Sequence, residues 1–302
     1  MTRAALHAFA DGVGPAADLA RALGAAFAPI SLHRFPDGES LVQVNPAQAG
    51  GCALLYCSLN DPNARLVELL LAASALRDSG ATRVMLVAPY LGYMRQDMAF
   101  APGQAVSQRV VGSLLAAHFD GLLTVDPHLH RIAALDEVMP GIDAISVSVA
   151  SVLAAVLGLP TDTVLAGPDA ESRQWVEKIA RPFGLPFVMG SKQRHGDRAV
   201  TVTFDQPGIV RECRVVLVDD VISSGTTLAR AAEALLAAGA SSVEVLATHC
   251  LASEDDLARL AAAGITRIRA TDSVAGPVAT IPLAALLADA VRQARWIEGT
   301  MS

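Results

Sequence analysis

The chain has 302 residues, 52% of them hydrophobic and 18% charged, with a formal net charge of −7. This excludes a disordered, collagenous or disulfide-miniprotein class and argues against general affinity for nucleic acid. Aromatic residues make up only 4% and no basic stripe interleaves with them, so base-stacking platforms are not expected.

Of the 23 basic residues only two are lysines, Lys178 and Lys192, so any lysine-dependent chemistry has two candidates. Cys52, Cys57, Cys213 and Cys250 are too scattered for a zinc knuckle or a redox pair, and free thiols in a reducing cytosol are expected. The N-terminal MTRAALHAFADG lacks a sustained apolar stretch before a cleavage site; no signal peptide is expected, and a cytoplasmic location follows by default.

In chain order, the first chemical signal is RFPDGES, Arg34 to Ser40, a turn that sets Phe35 beside the acceptors Asp37 and Glu39. Apolar β-branched runs then alternate with helix-period segments: CALLYCSL, ARLVELLLAASALRDSG, RVMLVAPY, AVSQRVVGSLLAAHF and GLLTVDPH. That alternation predicts a parallel sheet covered by helices. In the helix starting near Asn63, Leu66, Leu69, Leu70, Ala73 and Leu76 form the inner face, Arg65, Glu68 and Arg77 the other, and Gly80 ends it. PYLGYMRQD follows a strand and ends in Arg95, Gln96 and Asp97. There Arg95 suits bidentate pairing with phosphate and Gln96 suits adenine or phosphate, against the plainer reading of a surface Arg–Asp pair. TVDPHLHR sets Asp126, His128 and His130 at two-residue spacing at a strand's carboxyl end, where α/β proteins bind ligands.

The uncharged run Ala144 to Thr161 reaches membrane-span length, but three serines, Gly158 and Pro160 make it a buried strand or loop followed by a short helix. A second cycle follows: TVLAGPD, AESRQWVEKIARPFG, LPFVMGSK, AVTVTF, RVVLVDD, TTLARAAEALLAAGA, SSVEVLATHC, EDDLARLAAAG, ITRIRATDS and a last helix from about Leu283 to Trp296. Two α/β sets of similar size predict two related, closely packed domains, 1–145 and 146–302. Asp169 in GPDAES lies between strand and helix and fits an N-cap. In SKQRHGDR, Lys192 and Arg194 alternate to one side of an extended chain, whereas Lys178 reads as a helix-surface charge.

The sharpest motif is RVVLVDDVISSGTTLARAA. A buried strand ends in Asp219 and Asp220, and a loop of Ser223, Ser224, Gly225, Thr226 and Thr227 opens a helix. Backbone N–H groups at a helix start, with hydroxyls and a glycine admitting close approach, cradle a phosphate. The acidic pair accepts hydrogen bonds from ribose hydroxyls, directly or through a metal. Ser and Thr as mere helix caps are the weaker reading.

This strand, double acid and SSGTT loop resemble the phosphoribosyl diphosphate (PRPP) motif shared by type I phosphoribosyltransferases and ribose-phosphate diphosphokinases. The ordered set RFPDGES, PYLGYMRQD, TVDPHLHR, GPDAES and SKQRHGDR resembles the diphosphokinases. The resemblance implies an α/β fold of two phosphoribosyltransferase-like domains, each a mostly parallel sheet flanked by helices. The implied reaction transfers the diphosphoryl group of Mg²⁺–ATP to the C1 hydroxyl of ribose 5-phosphate. Phe35, Asp37, Glu39, Arg95, Gln96 and His128 would contact ATP, with the site near a subunit contact of a homo-oligomer. His128 and Asp169 would hold Mg²⁺, Asp219, Asp220 and residues 223–227 would hold ribose 5-phosphate, and Lys192 and Arg194 would act at the base of a mobile catalytic loop. His130 has no matching role.

The chain departs from that pattern in reading MAFAPGQ where many members are basic, and Ser223–Ser224 where many have Asp-Thr; both weaken transfer of phosphate or ADP regulation. A PRPP-consuming transferase and a non-catalytic regulatory homologue are the competing readings. No nucleic-acid or membrane partner is expected.

Overall fold

The computed structural model describes residues 4–46, 51–129, 132, 134–158, 163–195 and 199–297, and side chains outside 192–195 and 199–201. They form two units: Met1–Ser148 with Ser273–Ala275 and Pro282–Ser302, and Val149–Asp272 with Gly276–Ile281.

The first unit runs β1 (Ala5–Ala8), α1 (Val13–Leu23), β2 (Ala26–Pro29), β3 (Ser31–Arg34), β4 (Ser40–Gln43), β5 (Gly51–Tyr56), α2 (Pro62–Asp78), β6 (Ala81–Val87), α3 (Ser107–His118), β7 (Gly121–Val125) and β8 (Asp143–Val147). Its six-stranded sheet has the order β2-β1-β5-β6-β7-β8, with all neighbouring strands parallel among the described residues. β5 and β7 are apolar and buried almost throughout, as strands covered on both faces must be. β3 and β4 form a separate antiparallel hairpin, with RFPDGES as its turn.

Helix α2 opens with Pro62 in its first turn, where a missing N–H costs nothing, and is followed by Gly80 at φ +101°. Leu66, Leu69, Ala73 and Leu76 face the core as the periodicity predicts. Glu68, on the face opposite that stripe, is nevertheless fully buried among cationic and hydroxyl partners.

The second unit runs α4 (Ala150–Leu157), β9 (Thr163–Gly167), α5 (Arg173–Ala180), β10 (Phe187–His195), β11 (Ala199–Phe204), β12 (Arg214–Ile222), α6 (Thr226–Ala237), β13 (Ser242–Cys250), α7 (Glu254–Ala262), β14 (Ile265–Thr271) and β15 (Ala279–Ile281). The sheet order is β11-β10-β9-β12-β13-β14-β15, parallel except at β10/β11. Val164, Ala166, Val215, Leu217, Val243 and Val245 build its core with Leu228 and Leu235 of α6.

The segment from Ala144 enters β8 and then α4, and no helix of the described residues is long and apolar enough to cross a membrane. The four cysteines are free.

The chain's last helix, α8 (Ala284–Gln293), belongs to the first unit, so the units do not follow the simple 145/146 division at the C-terminus. Trp296 explains the return: its ring lies over Gly121 of β7, its indole N–H donates to Asp143 at 2.6 Å, and it is 2% exposed. Arg292 also donates to the carbonyl of Ala22. An indole with its N–H satisfied is among the largest single burials available to a side chain.

Candidate active site

In the second unit the connection from β9 leads to β10 on one side, whereas β12 lies on the other. The β9/β12 boundary is therefore a topological switch point, and the loops beyond the carboxyl ends of these strands diverge to leave a crevice. Asp169 follows β9, and Asp219 and Asp220 lie near the end of β12.

The acidic pair does not terminate its strand, as the sequence had suggested. β12 continues through Val221 and Ile222, which stay in register with His249 and Cys250 of β13. Asp219 Oδ1 accepts from the Asp220 N–H at 3.1 Å, and Asp220 Oδ1 from the Val221 N–H at 2.9 Å. Burial, then the neighbouring Asp220 and Asp169 carboxylates, push the Asp219 pKa well above the ordinary carboxylate range. Asp169 Oδ1 also accepts from the N–H groups of Glu171 and Ser172, at 3.1 and 3.2 Å. Asp169 thus shapes the turn before α5, while the N-cap position itself is Ser172.

Beyond β12, Ser223 and Ser224 are exposed and Gly225 is the N-cap of α6 at φ +71°. A Cβ on Gly225 would come within 2.9 Å of the Leu260 side chain in α7. Ser224 Oγ and Thr226 Oγ1 lie 3.1 Å apart, and Arg259 of α7 donates to the Ser224 carbonyl at 3.4 Å. The loop thereby offers hydroxyls and helix-start N–H groups toward solvent, a cradle for an anion. Leu260 and Arg259 support it from behind; neither belongs to the motif, so sequence reading missed both.

Lys192 and Arg194 lie in β10 itself. Past Gly167, the last β9 residue in register with it, β10 leaves the parallel sheet and pairs with β11, Lys192 opposite Val202 and Arg194 opposite Val200. This stretch is a β-ribbon beyond the sheet's carboxyl edge. Lys178 is exposed on α5.

In the first unit the loops after the neighbouring strands β6 and β7 carry the other candidates. Tyr93 and Asp126 take positive φ, +65° and +34°, one in each loop. Such backbone persists only when surrounding contacts hold it, and it concentrates at functional sites. Ser107 Oγ and Gln108 Nε2 of α3 donate to the carbonyls of Tyr93 and Met94, at 3.4 Å each, and a Cβ on Gly92 would come within 2.5 Å of the Leu59 carbonyl oxygen. The loop is therefore fixed while Arg95 remains exposed. Gln96 is half-buried. Asp126 donates its N–H to the Val147 carbonyl at 3.0 Å, and His128 follows two residues on, half-buried. His130 lies outside the described residues.

The β3–β4 turn exposes Phe35, whose ring meets His33 edge-on at 4.8 Å. Asp37 Oδ1 accepts from the Glu39 N–H at 3.1 Å. The structure thus brings Asp169, Asp219, Asp220 and the 223–227 loop to one sheet edge, and Arg95, Gln96 and His128 to the edge of the other unit.

A parallel α/β unit with an acidic pair and a hydroxyl–glycine helix start at its switch point defines the phosphoribosyltransferase class, and residues 149–261 match the phosphoribosyl transferase domain. Residues 14–118 match the N-terminal domain of ribose phosphate pyrophosphokinase. A ribose-phosphate pyrophosphokinase of Methanopyrus kandleri is 34% identical over 287 residues, covering 94% of this chain and 97% of its own. One from Halobacterium salinarum is 34% identical, covering 91% and 96%. The phosphoribosylpyrophosphate synthetase structure from Mycobacterium smegmatis superposes with a TM-score of 0.82 at 25% identity, covering 97% of this chain and 98% of that one. The chain belongs to the ribose-phosphate pyrophosphokinase family.

Proposed function

We propose that the protein transfers the diphosphoryl group of ATP to the C1 hydroxyl of ribose 5-phosphate, giving PRPP and AMP. The observation that carries this reading is the grouping of Asp169, Asp219, Asp220 and the 223–227 loop at one switch point.

The loop N–H groups and hydroxyls of Ser223, Ser224, Gly225, Thr226 and Thr227 take the 5-phosphate, and Asp219 and Asp220 accept from the ribose hydroxyls. Fixing the acceptor in this way makes the attack on the β-phosphorus effectively intramolecular. Arg95, Gln96 and His128 bind ATP, and Phe35, Asp37 and Glu39 contact the nucleotide of a neighbouring subunit in a homo-oligomer. Lys192 and Arg194 stabilise charge on the diphosphoryl group as AMP departs.

Mg²⁺ suits the hard oxygen donors of the second unit, where mutual repulsion of Asp169, Asp219 and Asp220 favours a cation. Asp169 would hold it with the acidic pair, His128 would attend the Mg²⁺–ATP phosphates, and the ion would neutralise phosphate charge. Free thiols suit a reducing compartment, so we place the enzyme in the cytoplasm.

The test is direct: pure protein with Mg²⁺, ATP and ribose 5-phosphate should yield AMP and PRPP in equal amounts. Nucleobase-dependent release of diphosphate from PRPP would instead establish a transferase, and nucleotide binding without turnover a regulatory homologue.

Gly225→Ala should raise the KM for ribose 5-phosphate about tenfold. The new methyl group forces a left-handed residue costing about 1–2 kcal/mol and presses on buried Leu260. Steady-state kinetics with ribose 5-phosphate varied provides the check; an unchanged KM would remove the loop from the acceptor site.

A further inference from the structure

We propose that Glu68 is a positioning residue for the nucleotide: it clamps both ends of the Phe35–Glu39 turn onto α2. This rests on the reading that the turn meets ATP, and it adds a residue that none of the motifs contains.

Arg34 and Ser40 are the first and last residues of RFPDGES and stand opposite each other in the β3–β4 register. Both converge on a single atom. Glu68 Oε1 accepts from Arg34 Nε at 3.1 Å, from Arg34 Nη2 at 2.9 Å and from Ser40 Oγ at 3.2 Å. The other oxygen, Oε2, pairs with Arg65 Nη1 at 2.9 Å. Arg65 is itself fixed, ion-paired to Asp11 at 2.8 Å and stacked 4.5 Å from the centroid of Phe9. The chain Asp11–Arg65–Glu68–Arg34 therefore runs from the end of β1, through α2, to the base of the hairpin.

The hairpin needs such an anchor. It is a two-stranded sheet apart from the six-stranded one, and an isolated hairpin is marginal in water. Leu32 and Val42 pack on the first unit's core, but apolar contact alone does not fix orientation. The turn is internally ordered, with the Phe35 N–H donating to the Glu39 carbonyl at 2.8 Å and the Gly38 N–H to the Phe35 carbonyl at 2.9 Å. It thus behaves as a rigid tip whose direction is set at its base.

A fully buried carboxylate is an expensive way to hold a helix to a hairpin, since an apolar residue of similar volume often does so at least as stably. What it adds is geometry: hydrogen bonds to both strands at once. Without the clamp, nucleotide binding must order the turn, which weakens affinity while leaving the chemical step intact.

The test uses full-length Glu68→Gln and Arg34→Gln. The latter retains the Glu68–Arg65 pair inside the fold and stands if Glu68→Gln fails to fold. Hydrogen exchange across residues 31–43 reports the hairpin without reference to activity, and steady-state kinetics report each substrate. Exchange should accelerate in 31–43 and the KM for ATP should rise about tenfold, as expected for losing a charged hydrogen bond, while kcat and the KM for ribose 5-phosphate stay within about twofold. Unchanged exchange in Arg34→Gln would overturn the clamp. Accelerated exchange with an unchanged KM for ATP would keep the clamp and overturn the nucleotide reading of the turn. Equal losses for both substrates would reduce Glu68 to a general structural role.

Discussion

Lys192→Ala is expected to lower kcat about a thousandfold, the scale of removing one preplaced charge from a phosphoryl-transfer site, with no fall in Tm. Position 192 lies on the β10/β11 ribbon, which is held by backbone ladder bonds that the substitution retains. The proposed role is met mainly as charge develops on the leaving oxygen, so the loss appears in kcat and kcat/KM together. Lys178→Ala serves as the control, because Lys178 is exposed on α5 and should leave both constants at the wild-type level. Measuring AMP formation for the two variants settles the matter; equal turnover by Lys192→Ala and the parent would take Lys192 out of the mechanism.

Asp219→Asn is expected to cut activity about a hundredfold and yet raise Tm at neutral pH in the absence of Mg²⁺, because the group serves substrate at the expense of the fold. Burial, Asp220 and Asp169 raise the folded pKa of Asp219. The unfolded chain releases the same proton at the ordinary carboxylate value. As pH climbs from that value toward the raised one, the unfolded state holds fewer protons than the folded state, and stability declines. Asparagine cannot ionise and escapes this decline. Thermal melts across pH should therefore be flatter for the variant in that window, and added Mg²⁺ should raise the Tm of the parent more than that of the variant. A variant melting below the parent at neutral pH, without Mg²⁺, would show that Asp219 stabilises rather than strains the apo fold.

Much of the fold was legible along the chain. The apolar runs at Cys52–Tyr56, Val84–Val87, Leu122–Val125 and Val215–Val218 are central strands, and the helical spacing of Leu66, Leu69, Ala73 and Leu76 gives the buried stripe of α2. The loop proposed to take phosphate was legible for the same reason: Ser223 to Thr227 is local, and a strand, a positive-φ glycine and a helix start are features of consecutive residues.

Glu68 shows where periodicity stops. Its helical position lies on the face opposite the leucines, but its partners Arg34 and Ser40 are 34 and 28 residues away. The one available signal was a lone carboxylate inside the apolar run LVELLL. Arg259 and Leu260 escaped similarly, since nothing in EDDLARL points to a loop 35 residues earlier. Trp296 lies beyond the end of α8, yet its indole lies over Gly121 and bonds Asp143, a contact that ties the last helix to the first unit.

The sequence by itself determined the alternation of strands and helices, the hydroxyl–glycine loop proposed to take phosphate and the short list of lysines, because each depends on neighbours within a few residues. Only the tertiary structure decided that Asp169 lies with Asp219 and Asp220 at a switch point, that position 192 rides on a ribbon and that Glu68 is buried against Arg34 and Ser40. These depend on strand order and on long-range pairing, where the energy of a buried charge is set by partners that sequence distance does not reveal.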